Sequence, residues 1–67
     1  MTTLLLQQYL KDHRAADLSR KTGVDTKLIS YLKHTGKANV YITYDVATGK
    51  VYRMWSEVVN NYYERTA

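Results

Sequence analysis

The fold of this chain is decided by the segment AADLSRKTGVDTKLISYL, which covers residues 15–32. Gly23 lies where the chain must reverse direction, a position that favours a positive φ and is therefore least costly for glycine. Val24 follows as an apolar residue between the two halves. Asp25 is a good N-cap, because its carboxylate can accept free amide hydrogens of the next turn. The segment therefore predicts two short helices joined by a tight turn.

The second of these helices is amphipathic. Winding its residues at about 100° per residue predicts an inner side made of Leu28, Ile29 and Leu32. Leu18 and the small Ser19 of the first helix are expected to face this inner side. The opposite side is polar and aromatic, with Lys27, Ser30, Tyr31 and His34. A solvated helical hairpin would share the apolar spacing, but the small residue, glycine, valine and N-cap at these offsets favour a helix-turn-helix, whose second helix enters the DNA major groove.

Composition limits the class of protein. A chain of 67 residues is expected to form a single domain over residues 1–67, near the lower size limit for a core without additional cross-links. The chain has no cysteine, which excludes disulfides and cysteine zinc sites. Two histidines, His13 and His34, are too few for a metal site. Association of two chains is therefore the expected source of additional stability.

Catalytic and membrane signatures are missing from the sequence. We find no nucleophile–base pair, no paired carboxylates and no phosphate-binding loop, so the chain is predicted not to be an enzyme and to need no cofactor or small-molecule substrate. No segment has the apolar length of a membrane span or of a secretory signal. The expected location is the cytoplasm.

Charge is distributed unevenly along the chain. The formal net charge is +4. Seven basic and three acidic residues precede residue 38, and the remaining three of each sign balance. All of the excess positive charge thus belongs to the helical half, which indicates a polyanionic partner.

The pattern changes period after Gly36. Val40, Ile42 and Tyr44 alternate with polar residues, which predicts a strand, and residues 51–55 predict a second. Between them, residues 45–50 are expected to form a hairpin loop with Gly49 as its left-handed residue. Residues 39–56 are therefore predicted to be a β-hairpin and dimerisation region. Since an isolated hairpin is marginally stable, it must lie on the helices, gain a third strand from residues 2–5, or pair with another subunit.

The predicted fold class is α+β. Three N-terminal helices, the first over residues 6–13, precede the hairpin, and the third strand from the N-terminus remains an option. At the other end, Ser56 is a candidate N-cap with Glu57 in the first turn. The spacing of Val58, Val59, Tyr62 and Tyr63 then predicts a short C-terminal helix.

The chain resembles the Cro repressors of lambdoid bacteriophages, in the form with helices followed by a β-hairpin. The matching positions are Leu6, Tyr9, Gly23, Val24, Ile29, His34, Gly36, Gly49, Val51 and Tyr52. The similarity covers roughly residues 2–58. The tail departs from the pattern, because residues 56–65 contain Arg65 as the only cation where the family often has a basic arm.

The resemblance implies a sequence-specific transcriptional repressor that binds a pseudo-palindromic operator in duplex DNA as a homodimer. The positions that match the family's base-reading positions are Thr26, Lys27, Ser30 and Tyr31. Those expected near the DNA backbone are Arg14, Ala15, His34 and Lys37. Arg20 and Lys21 point either to solvent or to phosphate.

The family dimerises through its last strand, which implies an interface at Met54, Trp55, Val58 and Val59. Trp55 is either an interface anchor or a core residue.

Two other functions fit parts of the sequence. Tyr41, Tyr44 and Tyr52 on a hairpin could form a stacking platform for single-stranded nucleic acid. A protein-interaction module, such as a small antitoxin or antirepressor, could use the hairpin as its contact edge. Core filling and β-propensity also explain the tyrosines.

Overall fold

The structure, a computed structural model, describes residues 1–35 and 39–65. Its helices are α1 (Leu6–Asp12), α2 (Ala15–Thr22) and α3 (Thr26–Thr35). Its strands are β1 (Thr2–Leu5), β2 (Val40–Tyr44), β3 (Val51–Ser56) and β4 (Tyr63–Glu64). The class is α+β, but the predicted order, in which helices come first, is wrong because β1 precedes them.

The strands form one antiparallel sheet in the order β1-β2-β3-β4. β1 pairs with β2 from Thr2 opposite Tyr44 to Leu5 opposite Tyr41. The helix cannot extend back into this strand, because Leu5 has an extended backbone and its amide donates to Gln8 Oε1 at 3.2 Å. The N-terminal strand thus supplies the additional pairing that a two-stranded hairpin needs.

The predicted C-terminal helix is also wrong, because residues 57–64 turn back and end in β4. Ser56, the last residue of β3, starts this reversal: its amide donates to Val59 O at 2.7 Å, and the Val59 amide donates to Ser56 Oγ at 2.9 Å. The Tyr62 amide then donates to Met54 O at 2.7 Å. These bonds engage backbone groups that a helix would need for its own ladder.

The β2–β3 hairpin has the predicted loop. Gly49 has a φ of 77°, which confirms the left-handed residue. The Asp45 carboxylate orders the loop by accepting from the Ala47 amide at 2.8 Å. The pairing register shifts between Thr43 and Tyr44, so the hairpin contains a bulge or irregularity at its loop end.

The core lies between the helices and one face of the sheet. Its buried residues are Leu6, Tyr9, Leu18, Val24, Ile29, Leu32, Val40, Ile42, Tyr44, Val51 and Met54. The expectation for Leu28 is wrong, because 39% of this side chain is exposed. At 100° per residue Leu28 falls at the margin of the apolar side of α3, next to Leu32 on one flank and Tyr31 on the other.

The turn between α2 and α3 has the predicted chemistry. Gly23 caps α2 with a φ of 75°, and its amide donates to Ser19 O at 2.7 Å. Val24 is buried behind it. Asp25 accepts the Lys27 amide on its carboxylate at 2.8 Å, which confirms the N-cap. Helix α1, in contrast, ends at Asp12, one residue before the predicted end, because His13 is already extended.

Candidate nucleic-acid interface

The exposed side of α3 is the first part of the candidate site. Thr26, Lys27, Ser30 and Tyr31, the four residues predicted to read bases, are all exposed, and Tyr31 is exposed over 60% of its surface. Positions 27, 30, 31 and 34 fall within an arc of about 100° around the helix axis. We call these four residues (Lys27, Ser30, Tyr31 and His34) the α3 face. Within the described residues, none of their side chains makes a hydrogen bond or an ion pair.

Buried residues on the opposite side hold the α3 face outward. Ile29 is fully buried and Leu32 nearly so, in the same core as Leu18 and Val24. Because α3 is amphipathic and its apolar side is occupied, its polar side must face away from the molecule. The helix is ten residues long, or about 15 Å at 1.5 Å per residue. An α-helix of this kind fits the major groove of duplex DNA.

The start of α2 is the second part of the site. Arg14 is the N-cap and is exposed, and Ala15 is half-buried against the core. No side chain caps this helix. The first intrahelical bond runs from the Leu18 amide to Arg14 O at 3.1 Å, so the amides of residues 15–17 are left without intrahelical acceptors. Free amides at a helix start and a guanidinium are the kinds of groups that bind phosphates in proteins.

Two cations at the other end of α2 are engaged within the chain. Arg20 Nη2 lies 3.0 Å from Asp17 Oδ1, and Lys21 Nζ lies 3.3 Å from Asp17 Oδ2. The hydrogen bond from Lys21, its charge and the neighbouring Arg20 together hold the pKa of the Asp17 carboxyl below its usual range. Lys21 also donates to Gly49 O at 2.9 Å, so its ammonium faces the hairpin loop.

Two other residues, His34 and Lys37, are predicted to lie near the DNA backbone. His34 lies in the last turn of α3 and is exposed. Lys37, like the family-matching Gly36, lies outside the described residues. The described part of the candidate interface therefore consists of the α3 face, Thr26 and the start of α2.

The residues predicted to form a dimer interface are not equally accessible. Met54 is fully buried in the protomer's own core, so its side chain presents no surface to a partner in this conformation. The edge of β3 that faces away from β2 is paired with β4, with Arg53 opposite Glu64 and Met54 opposite Tyr63. Val58 and Val59 are exposed, the former over 79% of its surface. Of the predicted interface residues, Trp55, Val58 and Val59 therefore remain accessible, whereas Met54 does not.

Trp55 is not a core residue, which removes one of its two predicted roles. It is half-buried and lies opposite Tyr41 across β2 and β3, with ring centroids 5.4 Å apart. The Arg53 guanidinium carbon lies 4.5 Å from the Trp55 ring centroid. These side chains alternate with the buried residues of the same strands, so they lie on the sheet face away from the helices.

The predicted tyrosine platform is not assembled as expected. Tyr44 is 8% exposed and points into the core, where its ring lies edge-on to Tyr9 at 5.0 Å. Tyr41 is on the opposite face of the same strand, beside Trp55. A strand's period of two residues places Tyr41 and Tyr44 on opposite faces, so the three tyrosines do not form one surface. Core filling, the other explanation of the tyrosines, holds for Tyr44.

Two features of the site do not follow from the sequence patterns. Leu28 lies at the margin of the apolar stripe, where helical spacing alone does not determine whether neighbouring elements cover a side chain. The approach of Tyr63 and Arg65 to Lys21 had no local signal, because it depends on the pairing of β4 with β3.

Comparisons with family models, curated proteins and solved structures gave no match. Over residues 1–35 and 39–65, no helix has both the length and the apolar character needed to cross a membrane. Within the same ranges, no group of three or more potential metal-ligating side chains comes together.

Proposed function

We propose that this protein is a sequence-specific repressor that binds duplex DNA through the α3 face, in the manner of the Cro family that its sequence resembles. One observation carries the proposal: α3 buries its apolar side in the core and leaves Lys27, Ser30 and Tyr31 exposed and without partners among the described residues. Groups that are not engaged within the chain are free to exchange water for a ligand. Their donors and aromatic ring match the chemistry of base edges in the major groove.

Each residue of the α3 face has a specific role in this proposal. Lys27 donates to guanine O6 and N7, and Ser30 donates to or accepts from a base edge. Thr26 places its methyl group against a thymine methyl. Tyr31 stacks on a thymine or donates its hydroxyl to a phosphate. Arg14, the Ala15 amide, His34 and Lys37 bind the DNA backbone and fix the register.

Two copies of the chain are needed to select a site. One module buries little DNA and reads about four base pairs, which is too few for a unique position in a genome. Two copies related by a two-fold axis would place their α3 helices about 34 Å apart and read a pseudo-palindrome on one face of the duplex. Because β4 covers the edge of β3, the accessible Trp55, Val58 and Val59 are the candidates for this contact.

Repression follows from occupancy alone. A bound dimer covers promoter elements and excludes RNA polymerase, so the mechanism requires no cofactor and no chemical step. The protein acts where the DNA is, in the cytoplasm of a bacterial host cell. In this proposal the basic N-terminal half supplies the long-range attraction to the polyanion.

Selection of bound sequences from a random duplex pool tests the proposal. We expect enrichment of a pseudo-palindrome whose half-sites are one helical turn apart. The logarithm of the binding constant should fall with the logarithm of the salt concentration, with a slope of about −0.9 for each phosphate neutralised. The separated single strands of the selected site are the control and should bind weakly. No enrichment, or preference for the single strands, would contradict the proposal. Equilibrium sedimentation of the complex should find two chains on each selected site.

A protein-interaction module is the second candidate, and the outer sheet face favours it. Tyr41 and Trp55 stack there, and Arg53 covers part of the indole. Paired aromatic residues beside an arginine are typical of interface anchors. This candidate predicts that binding to a protein partner is unchanged in Lys27→Ala and lost in Trp55→Ala. DNA binding through α3 predicts instead that Lys27→Ala weakens binding.

A further inference from the structure

A surface cavity of about 240 Å³ lies between the end of α2, the β2–β3 loop and the C-terminal strand. Three cationic side chains line it: Lys21, Lys50 and Arg65. They come from three separate segments of the chain, so the fold and not the local sequence brings them together. The cavity is smaller than the roughly 300–1,000 Å³ of sites for drug-sized ligands, which limits an occupant to a small molecule.

The backbone around this cavity is held in place by hydrogen bonds. The Gly49 amide donates to Asp45 O at 2.7 Å, and the Lys50 amide donates to Thr48 Oγ1 at 3.3 Å. On the other side, the Arg65 amide donates to Tyr52 O at 2.8 Å. Two of the three cations thus extend from backbones that are already ordered, which lowers the entropy cost of binding a ligand.

Gly49 allows the third cation to approach. Lys21 Nζ donates to Gly49 O at 2.9 Å, and a Cβ at position 49 would lie only 3.3 Å from the same Nζ. The Lys21 ammonium has three donors, of which one goes to Gly49 O and one faces Asp17 at 3.3 Å. One donor of Lys21 therefore has no acceptor among the described residues.

The charge balance of the cavity is positive. Of the three cations, Lys21 is paired with an acidic group, Asp17, and Asp17 is shared with Arg20. Asp45 uses Oδ1 to accept loop amides, and the acidic Glu64 lies 4.0 Å from Arg53. Neither Lys50 nor Arg65 forms an ion pair with any of the described residues. The cavity therefore attracts an anion.

The rest of the lining suggests a ligand with a ring. Val51 is buried, and Tyr63 is half-buried and packs against the core, so together they form an apolar wall. Thr48 adds a hydroxyl. A phosphomonoester carries about two negative charges at neutral pH and three acceptor oxygens, which suits a group of two or three cations.

From this arrangement we propose that the cavity is a binding site for a phosphate group borne by a small molecule with a ring. Lys50, Arg65 and the remaining donor of Lys21 bind the phosphate, and Tyr63 packs against the ring. No residue of the α3 face lines this cavity. The cavity is also separate from the start of α2, since Arg14 and Lys21 lie at opposite ends of that helix. The proposal does not depend on DNA binding. The same phosphate chemistry could also come from the backbone of a DNA duplex, so the test includes both sources.

The test is a ligand titration of the full chain at constant ionic strength, monitored by two-dimensional amide NMR. The probes are adenosine 5′-monophosphate, inorganic phosphate, adenosine without phosphate, and a short DNA duplex. We expect the two phosphate compounds to shift the amides of Gly49, Lys50 and Arg65, with the nucleotide binding more tightly, and adenosine to leave them unchanged. If only the duplex shifts these amides, the phosphate comes from DNA and the small-molecule ligand is ruled out.

A charge-neutralised variant makes the test specific. Lys50→Gln combined with Arg65→Gln should weaken binding of the nucleotide by at least about tenfold, because charge-assisted bonds are the strong ones. The matched control, Lys11→Gln combined with Lys33→Gln, removes the same charge elsewhere and should bind normally. If the first variant does not fold, Arg65→Gln alone replaces it.

Two results would overturn the proposal: no shift of the cavity amides with adenosine 5′-monophosphate or inorganic phosphate, or equal binding of the nucleotide by the two double variants. Binding of DNA at the α3 face is measured separately, from the amides of residues 26–34. Loss of the cavity site and failure of the proposed DNA binding are therefore distinguishable in one set of spectra.

Discussion

The α3 face and the C-terminal segment that follows β3 are both on the surface, but their polar groups differ in how they are used. No side chain of the α3 face is paired with another of the described residues. The C-terminal segment is the opposite: Arg53 Nε donates to Asn61 Oδ1 at 2.7 Å, and Arg53 Nη2 donates to Asn60 O at 3.0 Å. A surface that is paired within its own chain serves the fold, whereas one left without partners is available to a ligand.

The largest expected effect separates the two sides of α3. Ile29→Ala should lower the free energy of unfolding by about 2–5 kcal/mol, because the side chain is fully buried and its loss leaves a cavity. Leu28→Ala is the matched control in the same helix and should change it by about 0.5 kcal/mol, since a surface substitution removes few contacts. Urea unfolding followed by tryptophan fluorescence measures both. Equal losses would show that α3 is not oriented as described.

The next effect concerns the α3 face directly. Lys27→Ala should weaken binding to the selected duplex by about 1–3 kcal/mol and relax sequence preference, because one base contact is lost. Stability should change little. Lys11→Ala removes the same charge from α1 and should leave the ranking of sequences intact. Competition binding with single-base variants of the site measures the ranking, and a ranking unchanged by Lys27→Ala would remove the base-reading role.

A smaller effect on stability is expected from Arg53, which holds the C-terminal segment that follows β3. Arg53→Met keeps the aliphatic stem but removes the bonds to Asn60 and Asn61, and should cost about 0.5–1.5 kcal/mol. The loss should be local, with faster hydrogen exchange at the Tyr62 and Arg65 amides, which bond to β3. Lys11→Met is the control for charge removal. Unchanged exchange at these two amides would show that Arg53 does not hold the segment.

The smallest effect lies in the core that supports both surfaces. The Tyr9 hydroxyl oxygen is buried and has no hydrogen-bond partner in the described part of the chain. Tyr9→Phe should therefore leave stability at neutral pH unchanged or raise it by about 1 kcal/mol, because an unpaired buried hydroxyl is costly. Tyr31→Phe, at an exposed tyrosine, is the control and should have no effect on unfolding.

The pH dependence of the same variant has a definite sign. Burial first, and then Asp17 and Tyr44, raises the pKa of the Tyr9 hydroxyl above its ordinary value. The unfolded chain ionises this tyrosine from about pH 10, whereas the folded protein resists ionisation, so stability falls as pH rises above that value. Tyr9→Phe should remove part of this alkaline loss in pH-dependent unfolding curves. An identical loss in wild type and variant would contradict it.

How far the sequence predicts this molecule depends on the range of the signals. Gly23, Asp25 and Gly49 act on their neighbours within a few residues, and the structure confirms all three. The α3 face was likewise predicted from helical spacing. Residues 56–63 carry an equally good local helical pattern, but hydrogen bonds back to β3 prevail. The sequence does not predict that β4 covers the edge of β3, because residues 57–62 carry no turn signal strong enough to outweigh the helical pattern. It does not predict that Arg65 meets Lys21, because that depends on how the sheet docks against α2.

The pairing of β1 with β2 has a consequence for the order of folding. Thr3 and Thr43 share a hydrogen bond of 2.9 Å although they are forty residues apart in the chain. Closing a loop of that length is entropically costly, and contacts of high sequence separation slow folding. The three helices and the β2–β3 hairpin have local contacts and can assemble sooner. Strand β1, although it precedes the helices in the chain, is therefore expected to be among the last elements to dock.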